Sequence, residues 1–433
     1  MELGPRSNTG SPFGRMFISI GFILGSCGLS LWNQVRLYEV DSRLVVPTDA
    51  RASRFPTVDD RVKLYMGDWY WPPCDSASQS IGYTWTTRTN VTLRWQGGDD
   101  HQETVSLDGS IYPDRLFAMD RSLLRQCATN ERNKSLRHYC QDVVNTIFPI
   151  LARSDHNSTS PLLLQFGDAG TYGVAAHLPH LKKFRRALDV DLSEARSTDH
   201  CEDVSSAHLR NREGIIWLLD IAYHYGRLPS VNRSDVDWSL KKPAAVFRGK
   251  LTGHAGGVAD VSARCEALAR CRLVRRYHNS TLVDAKISDA LDRVPEMMDG
   301  IRLVAPRMSM KDQLEYKAII VLEGNDVGTS LKWALYSRSV VLMPLPTVTS
   351  YAMEELLEPW KHYVPLKSDL TDVEEQVLWV LHNDDEARAI AERGSMWIHD
   401  LLFAPESLRD NMEINKRILS RYQSHFRHLQ LLD

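Results

Sequence analysis

"LEGNDVGTSLKWALYSRSVVLMP", residues 322–344, decides how this chain is read. The apolar run AIIVL (318–322) leads into it, its first half is polar and punctuated by glycine, and a β-branched run closes it. That change of pattern predicts strand, tight loop, short helix, strand. A helix start offers unpaired N–H groups and the positive end of the helix dipole, so it can hold an anion. Gly328 would let the backbone approach a ligand, Thr329 and Ser330 can cap or donate, and Lys332 adds a full positive charge. The loop therefore reads as a diphosphate site. Glu323 and Asp326 oppose an anion unless they face sugar hydroxyls or cap the helix, and turns of this composition also arise for capping alone. Neither GxxxxGK[ST] nor GxGxxG occurs.

Working outward, the runs AAVF (244–247), IRLVA (301–305), AIIVL, SVVLM (339–343) and YVPL (363–366) read as short buried strands. Helix candidates at 261–270, 329–336, 351–357 and 372–381 separate several of them. Alternation of this kind predicts a largely parallel sheet wrapped by helices, with ligands bound outside the carboxyl ends of the strands. AAVFRGKLTGH (244–254) is a second strand leaving into a cationic turn, with Arg248 suited to bidentate oxyanion recognition. A structural ion pair is the alternative role for Arg248.

Upstream the pattern is mixed. A helix is expected over 206–225, where Leu209, Ile216, Leu219 and Tyr223 follow helical spacing. PLLLQFGDAGTYG (161–173) reads as a strand followed by a glycine-flanked turn carrying Asp168. A carboxylate there can serve as a general base, although Asp-Gly turns also form for local reasons. His177, His180, His254 and His362 are alternative bases. DVD occurs at 189–191 and 235–237, but neither follows a convincing strand, so an acidic metal motif is not expected.

The formal charge of −3 argues against a dedicated nucleic-acid binder. Residues 16–32 are apolar and uncharged, and are read as a retained transmembrane signal anchor in preference to a cleaved signal peptide. Five N-glycosylation sequons follow it, at Asn90, Asn133, Asn157, Asn232 and Asn279. So do Cys74, Cys127, Cys140, Cys201, Cys265 and Cys271, an even set suited to disulfides in an oxidising lumen. The sequence does not choose their pairing. Cys265 and Cys271, six apart on an expected helix, fall on different faces and are not expected to pair with each other.

Three stretches, GIIWLLDIAYHYGRLPSV (214–231), AAVFRGKLTGH and the opening loop continued by TSYAMEELLEPWKHYVPLKSDLTDVEEQV (349–377), together resemble glycosyltransferase family 90. That family includes protein O-glucosyltransferases and O-xylosyltransferases, capsule-associated xylosyltransferases and lipopolysaccharide core glycosyltransferases. The resemblance covers about residues 161–383. It implies an α/β, GT-B-like architecture of two Rossmann-like domains facing across a cleft, and an inverting, metal-independent transfer of glucose or xylose from a UDP-sugar to a protein or glycan hydroxyl. UDP-sugar is then the donor substrate, and no cofactor or metal is expected. By position, Arg248 and the segment from Gly328 through Thr329 and Ser330 to Lys332 would hold the diphosphate. Glu323 would accept from ribose hydroxyls, and Asp168 would be the catalytic base. Here that turn reads Gly-Asp-Ala-Gly where animal members have an Arg-Asp-Tyr-Pro-like sequence.

The expected organisation is a cytoplasmic tail (1–15), the anchor (16–32), a stem (33–60), an acceptor-side domain (61–240), a UDP-sugar domain (241–385) and C-terminal helices (386–433) packing back on the first domain. A single-pass type II protein of the Golgi or endoplasmic reticulum follows, with its catalytic part lumenal; the QLLD ending, unlike an endoplasmic-reticulum retention signal, favours the Golgi. The rival reading is a catalytically inactive lumenal relative that binds sugar nucleotides or glycans.

Overall fold

The computed structural model describes residues 55–70, 81–87, 90–95, 102–106, 116–118, 121–153, 162–168, 179–187, 213–425 and 430–431. The apolar segment 16–32, Cys74, Cys201, His177 and the first DVD lie outside them. Among the described residues no helix is long and apolar enough to cross a membrane.

Helix α1 (Val58–Met66) begins inside the segment read as stem, where Thr57 and Asp60 form a reciprocal capping box. Its Val62, Leu64, Tyr65 and Met66 are buried, so the folded body starts here. Strands at Ile81–Thr87, Asn90–Trp95 and Gln102–Ser106 form an antiparallel meander. Helices α2 (Arg121–Asn130) and α3 (Lys134–Thr146) are joined by a Cys127–Cys140 disulfide. A small sheet runs in the order β1 (Leu116–Ala118), β2 (Leu163–Gln165), β3 (His180–Lys182), β4 (Ile215–Ile216). Strand β1 is antiparallel to β2, and β2, β3 and β4 are parallel.

The helix expected over 206–225 is not formed in its described part. Residues 215–219 are five consecutive buried residues, a run that fits a strand covered on both faces and not one helical stripe. Only Ile221–His224 coil into a single turn. Gly214 is required where the chain enters β4, because a Cβ there would lie 2.5 Å from Lys182 Cδ and 2.6 Å from His180 Nε2.

The second sheet comprises β5 (Lys242–Lys250), β6 (Val283–Asp289), β7 (Tyr316–Ile320), β8 (Val340–Met343) and β9 (Val364–Pro365). All its pairs are parallel, in the spatial order β6-β5-β7-β8-β9. This is the doubly wound 2-1-3-4-5 order, whose winding direction reverses between the first and third strands, here β5 and β7. Side chains alternate between two cores. Val246, Ile319 and Val341 face the core shared with the first sheet, while Ala245, Phe247, Ala318, Ile320, Val340 and Leu342 face the other. The strands at 244–247, 318–322, 339–343 and 363–366 thus form where the sequence predicts them.

Between β5 and β6 the expected helix 261–270 is two helices, α4 (Val261–Ala267) and α5 (Ala269–Arg276). Leu268 leaves the helical region (φ −90°, ψ 107°), and this break brings Cys265 and Cys271 to a Cα separation of 5.1 Å, where they form a disulfide. The expectation that these two would not pair fails because it assumed an unbroken helix. Residues 301–305 also depart from the reading: Ile301–Arg302 pairs with Met297–Met298, and Val304 touches the sheet through one bridge to Ile287. The helix expected at 351–357 is one 3₁₀ turn, Glu354–Leu356. Helix α6 (Leu331–Leu335) links β7 to β8, and α7 (Val373–His382) forms as predicted.

Helices α8 (Asp384–Leu402) and α9 (Ser407–His425) follow, and Gln430–Leu431 then pairs in parallel with the Ile81–Thr87 strand. Helix α9 is solvated on one face only. Ile418, Leu419 and Tyr422 are buried, and α9 packs on α1, with Arg61 Nη2 donating to Asn411 Oδ1 at 2.7 Å. The Tyr422 hydroxyl donates to Pro179 O and accepts from Leu163 N, so α9 reaches the first sheet.

Candidate active site

The carboxyl ends of the parallel strands of both sheets open on one cavity of about 350 Å³, a size typical of small-molecule sites. Asp168 stands three residues beyond β2, Lys183 directly after β3, and Asp220 four residues beyond β4. Asp326 and Thr329 come from the loop after β7, and Tyr139 of α3 closes one side. Asp168, predicted from a strand and turn alone, is therefore at the cavity, with its side chain 46% exposed.

Lys183 is the hub. Its Nζ lies 2.5 Å from Asp168 Oδ1, 2.7 Å from Asp326 Oδ2 and 3.9 Å from Asp220 Oδ2. Burial pulls its pKa down, but Asp326, Tyr139, Asp168 and Asp220 together outweigh that and hold it well above the ordinary lysine value. Burial pushes Asp220 up to about 6, against the pull of Lys183, and the neighbouring Asp168 and Asp326 add to the rise. Burial likewise raises Asp326. His224 is kept neutral, first by burial and then by the charges of Lys332 and Lys183.

Asp220 occupies the left-handed region (φ 60°, ψ 42°), a conformation uncommon outside glycine and tolerated best by Asn and Asp. Its Oδ1 is buried without a hydrogen-bond partner among the described residues. A buried carboxylate oxygen left in that state favours a ligand hydroxyl. One lysine among three aspartates makes the cavity acidic, which suits hydroxyl-rich groups and repels phosphates.

The two strand exits that the sequence singles out do converge. Gly253 N donates to Asn325 Oδ1 at 3.0 Å, and a Cβ on Gly324 would fall 2.2 Å from Thr252 Oγ1, so only glycine admits this approach. Arg270 of α5 binds the carbonyls of Lys250, Leu322 and Glu323, fastening both exits from behind. These loops bracket the β5/β7 switch point.

Other predicted residues are placed differently. Gly328 serves packing: a Cβ there would lie 2.7 Å from Val321 Cγ1, so the close approach is to its own strand. Ser330 makes no side-chain cap on the five-residue α6, and Thr329 lines the cavity. Lys332 is fully buried and ion-paired to Glu354 at 2.6 Å, so it does not reach a ligand. Glu323 binds Thr347 and Val348 through their backbone amides, fixing the chain between β8 and the Val348–Ser350 strand. Arg248 turns back along the sheet, donating to Asp284 Oδ1 and Asp284 O, both at 2.7 Å, level with Val246. The reading missed Lys183, Asp220 and Tyr139, and treated Asp326 as an obstacle. A lysine directly after a buried strand was the available signal. Asp235 and Asp237 of the second DVD pair with Lys241 and Arg338, and among the described residues no cluster of His, Cys, Asp and Glu could hold a metal ion.

Comparison with known proteins matches this sequence to a named group. The family model described as glycosyl transferase family 90 matches residues 228–422. The chain is 44% identical over 282 residues to O-glucosyltransferase LpsA of Dichelobacter nodosus, covering 65% of this chain and 71% of that protein. It is 36% identical over 99 residues to protein O-glucosyltransferase 3 of Homo sapiens, spanning 19% of that protein, and 28% identical over 166 residues to human protein O-glucosyltransferase 1, spanning 38% of it. The extent of the bacterial match, together with the family model, shows that the chain belongs to glycosyl transferase family 90.

Proposed function

We propose that this glycosyltransferase moves a glucosyl or xylosyl unit from a UDP-sugar to a hydroxyl of a glycan or protein, with inversion and without a metal. The observation that carries the reading is the position of Asp168, a half-exposed carboxylate at a strand's carboxyl end, in the cavity that Asn325, Asp326 and Thr329 of the switch-point loop also line. In this reading Asp168 takes the proton of the acceptor hydroxyl as its oxygen bonds to the anomeric carbon. The bond from that carbon to the phosphate oxygen breaks, and its electron pair leaves on UDP. General base catalysis of this kind contributes typically 10²–10⁴-fold.

The acidic cavity favours sugar hydroxyls, so the diphosphate is assigned outside it, at the β5 and β7 exits around Thr252 and Gly253. A GT-B-like pair of facing domains is the architecture this division of labour implies, and the two converging sheet edges support it. A lumenal, membrane-anchored placement is proposed with it, from the apolar segment 16–32, the sequons and the two described disulfides.

The test is a donor screen that follows UDP release and the mass of the glycosylated acceptor, with and without EDTA. Turnover that survives EDTA and stops in Asp168→Asn supports the reading. Binding of UDP-sugar without turnover on any acceptor would return the chain to the inactive-relative reading, and rescue by Mn²⁺ after EDTA would overturn metal independence.

A further inference from the structure

Lys183 has no part in the bond-making step just described, yet it is the most heavily coordinated charge in the cavity. It leaves the first sheet at the end of β3, its side chain is only 6% exposed, and its ammonium touches Asp168 of the first sheet and Asp326 of the second. Among the described residues, Lys183, Asp220, Asp326 and Tyr139 face Asp168, with His224 and Lys332 behind them. Three carboxylates that close together repel one another. A cation between them opposes that repulsion and lets the Asp168 carboxylate keep one orientation.

Resting on the reading of Asp168 as the base, we propose that Lys183 is a positioning residue. It holds the Asp168 carboxylate oriented toward the acceptor, and through Asp326 it ties that placement to the switch-point loop Gly324–Thr329 that lies beside the donor. Tyr139 supports the arrangement, its ring centroid lying 5.7 Å from the Lys183 ammonium. Asp326 competes with Asp168 for the same charge. Removing the lysine is expected to move the acidic limb of activity up in pH, and removing Asp326, which releases the lysine to Asp168 and deletes one like charge, is expected to move it down.

The experiment is the pH profile of kcat/KM for wild type, Lys183→Met and Asp326→Asn, with Asp168→Asn alongside. An opposite charge within about 4–6 Å shifts a carboxylate by about 1–3 pH units. The acidic limb in Lys183→Met is therefore expected about 1–3 units higher, with activity recovering toward alkaline pH, and in Asp326→Asn the limb moves lower. A Lys183 that only stabilised the fold would give a loss independent of pH, with the limb unmoved, and that result overturns the proposal. If Lys183→Met does not fold, the Asp326→Asn limb decides alone: a downward move supports the proposal, and an unmoved limb sinks it. Wild-type turnover in Asp168→Asn would instead remove the base itself and with it the reading on which this rests.

Discussion

Lys183 Nζ lies 2.7 Å from Asp326 Oδ2, so a lysine leaving one sheet closes against an aspartate leaving the other. The contact joins the half of the chain that carries Asp168 to the loop at the β5/β7 switch point. In the proposed mechanism acceptor activation and donor binding are then physically contiguous, which is what an in-line transfer between two substrates requires.

The first prediction separates binding from chemistry at Asp168. Asp168→Asn keeps the shape of the turn and removes the proton acceptor. Turnover is expected to fall by about 10²-fold or more, with UDP affinity within a few-fold of wild type, because the proposed diphosphate site lies outside the acidic cavity. Calorimetric titration with UDP beside a transfer assay measures both. Transfer at the wild-type rate would reduce Asp168 to a turn residue.

A second prediction concerns the two cations that the sequence offers to the diphosphate. Lys332 and Glu354 are buried together, and Ser350 N and Oγ donate to the same carboxylate. Lys332→Met leaves that carboxylate unpaired and is expected to cost about 3–5 kcal/mol of stability. Arg248→Ala deprives Asp284 of its partner, and Tyr316 still donates to that carboxylate, so a smaller loss is expected. In the folded variants UDP affinity should stay within a few-fold of wild type. Urea titrations and UDP binding check this, and a tenfold weaker UDP complex in stable Arg248→Ala would restore the diphosphate role.

The parallel sheet was legible because its strands are short apolar runs separated by polar turns, and burial on both faces leaves just that pattern. Asp168 was legible as a carboxylate directly past a strand. What the sequence hid is pairing. Nothing local to Arg248 reveals Asp284, and nothing local to Lys332 reveals Glu354, because each partner comes from a different element. The same holds for Lys183, whose three carboxylates come from three separate loops. At Leu268 the failure is of another kind: one residue leaves helical geometry inside a helix-forming composition, and the cysteine pairing changes with it.

That break supports a third prediction. The Cys265–Cys271 bridge closes a short loop that contains Arg270, whose guanidinium holds the carbonyls of Lys250, Leu322 and Glu323. For so short a loop the chain-entropy contribution is about 2 kcal/mol. Cys265→Ser with Cys271→Ser is expected to lower the unfolding midpoint accordingly and to weaken UDP binding more than acceptor binding, since the strand exits loosen. Peptide mapping without reduction should recover the two cysteines cross-linked. Free thiols at both positions in protein from an oxidising compartment would contradict the pairing.

The last prediction follows from Asp220. Burial holds its carboxyl at about 6 in the folded protein, against an ordinary value of 3.8. An acid whose pKa is raised by folding binds more protons in the native state than in the unfolded one between those two values. Stability therefore falls as pH rises across that window, and the cost is complete above about pH 6 and absent below about pH 4. At 1.36 kcal/mol for each pH unit, the Asp220 share is on the order of 2–3 kcal/mol. Asp326, Asp142 and Glu323 are raised by burial too and act with the same sign, whereas His224, Asp384 and Glu413 are lowered and act with the opposite one, so only the difference between two variants isolates Asp220. Asp220→Asn cannot ionise, so its stability relative to wild type should rise by that share between about pH 4 and pH 7. Urea midpoints measured across the range for both proteins give the comparison directly, and parallel profiles would show that Asp220 does not carry its proton into the folded state.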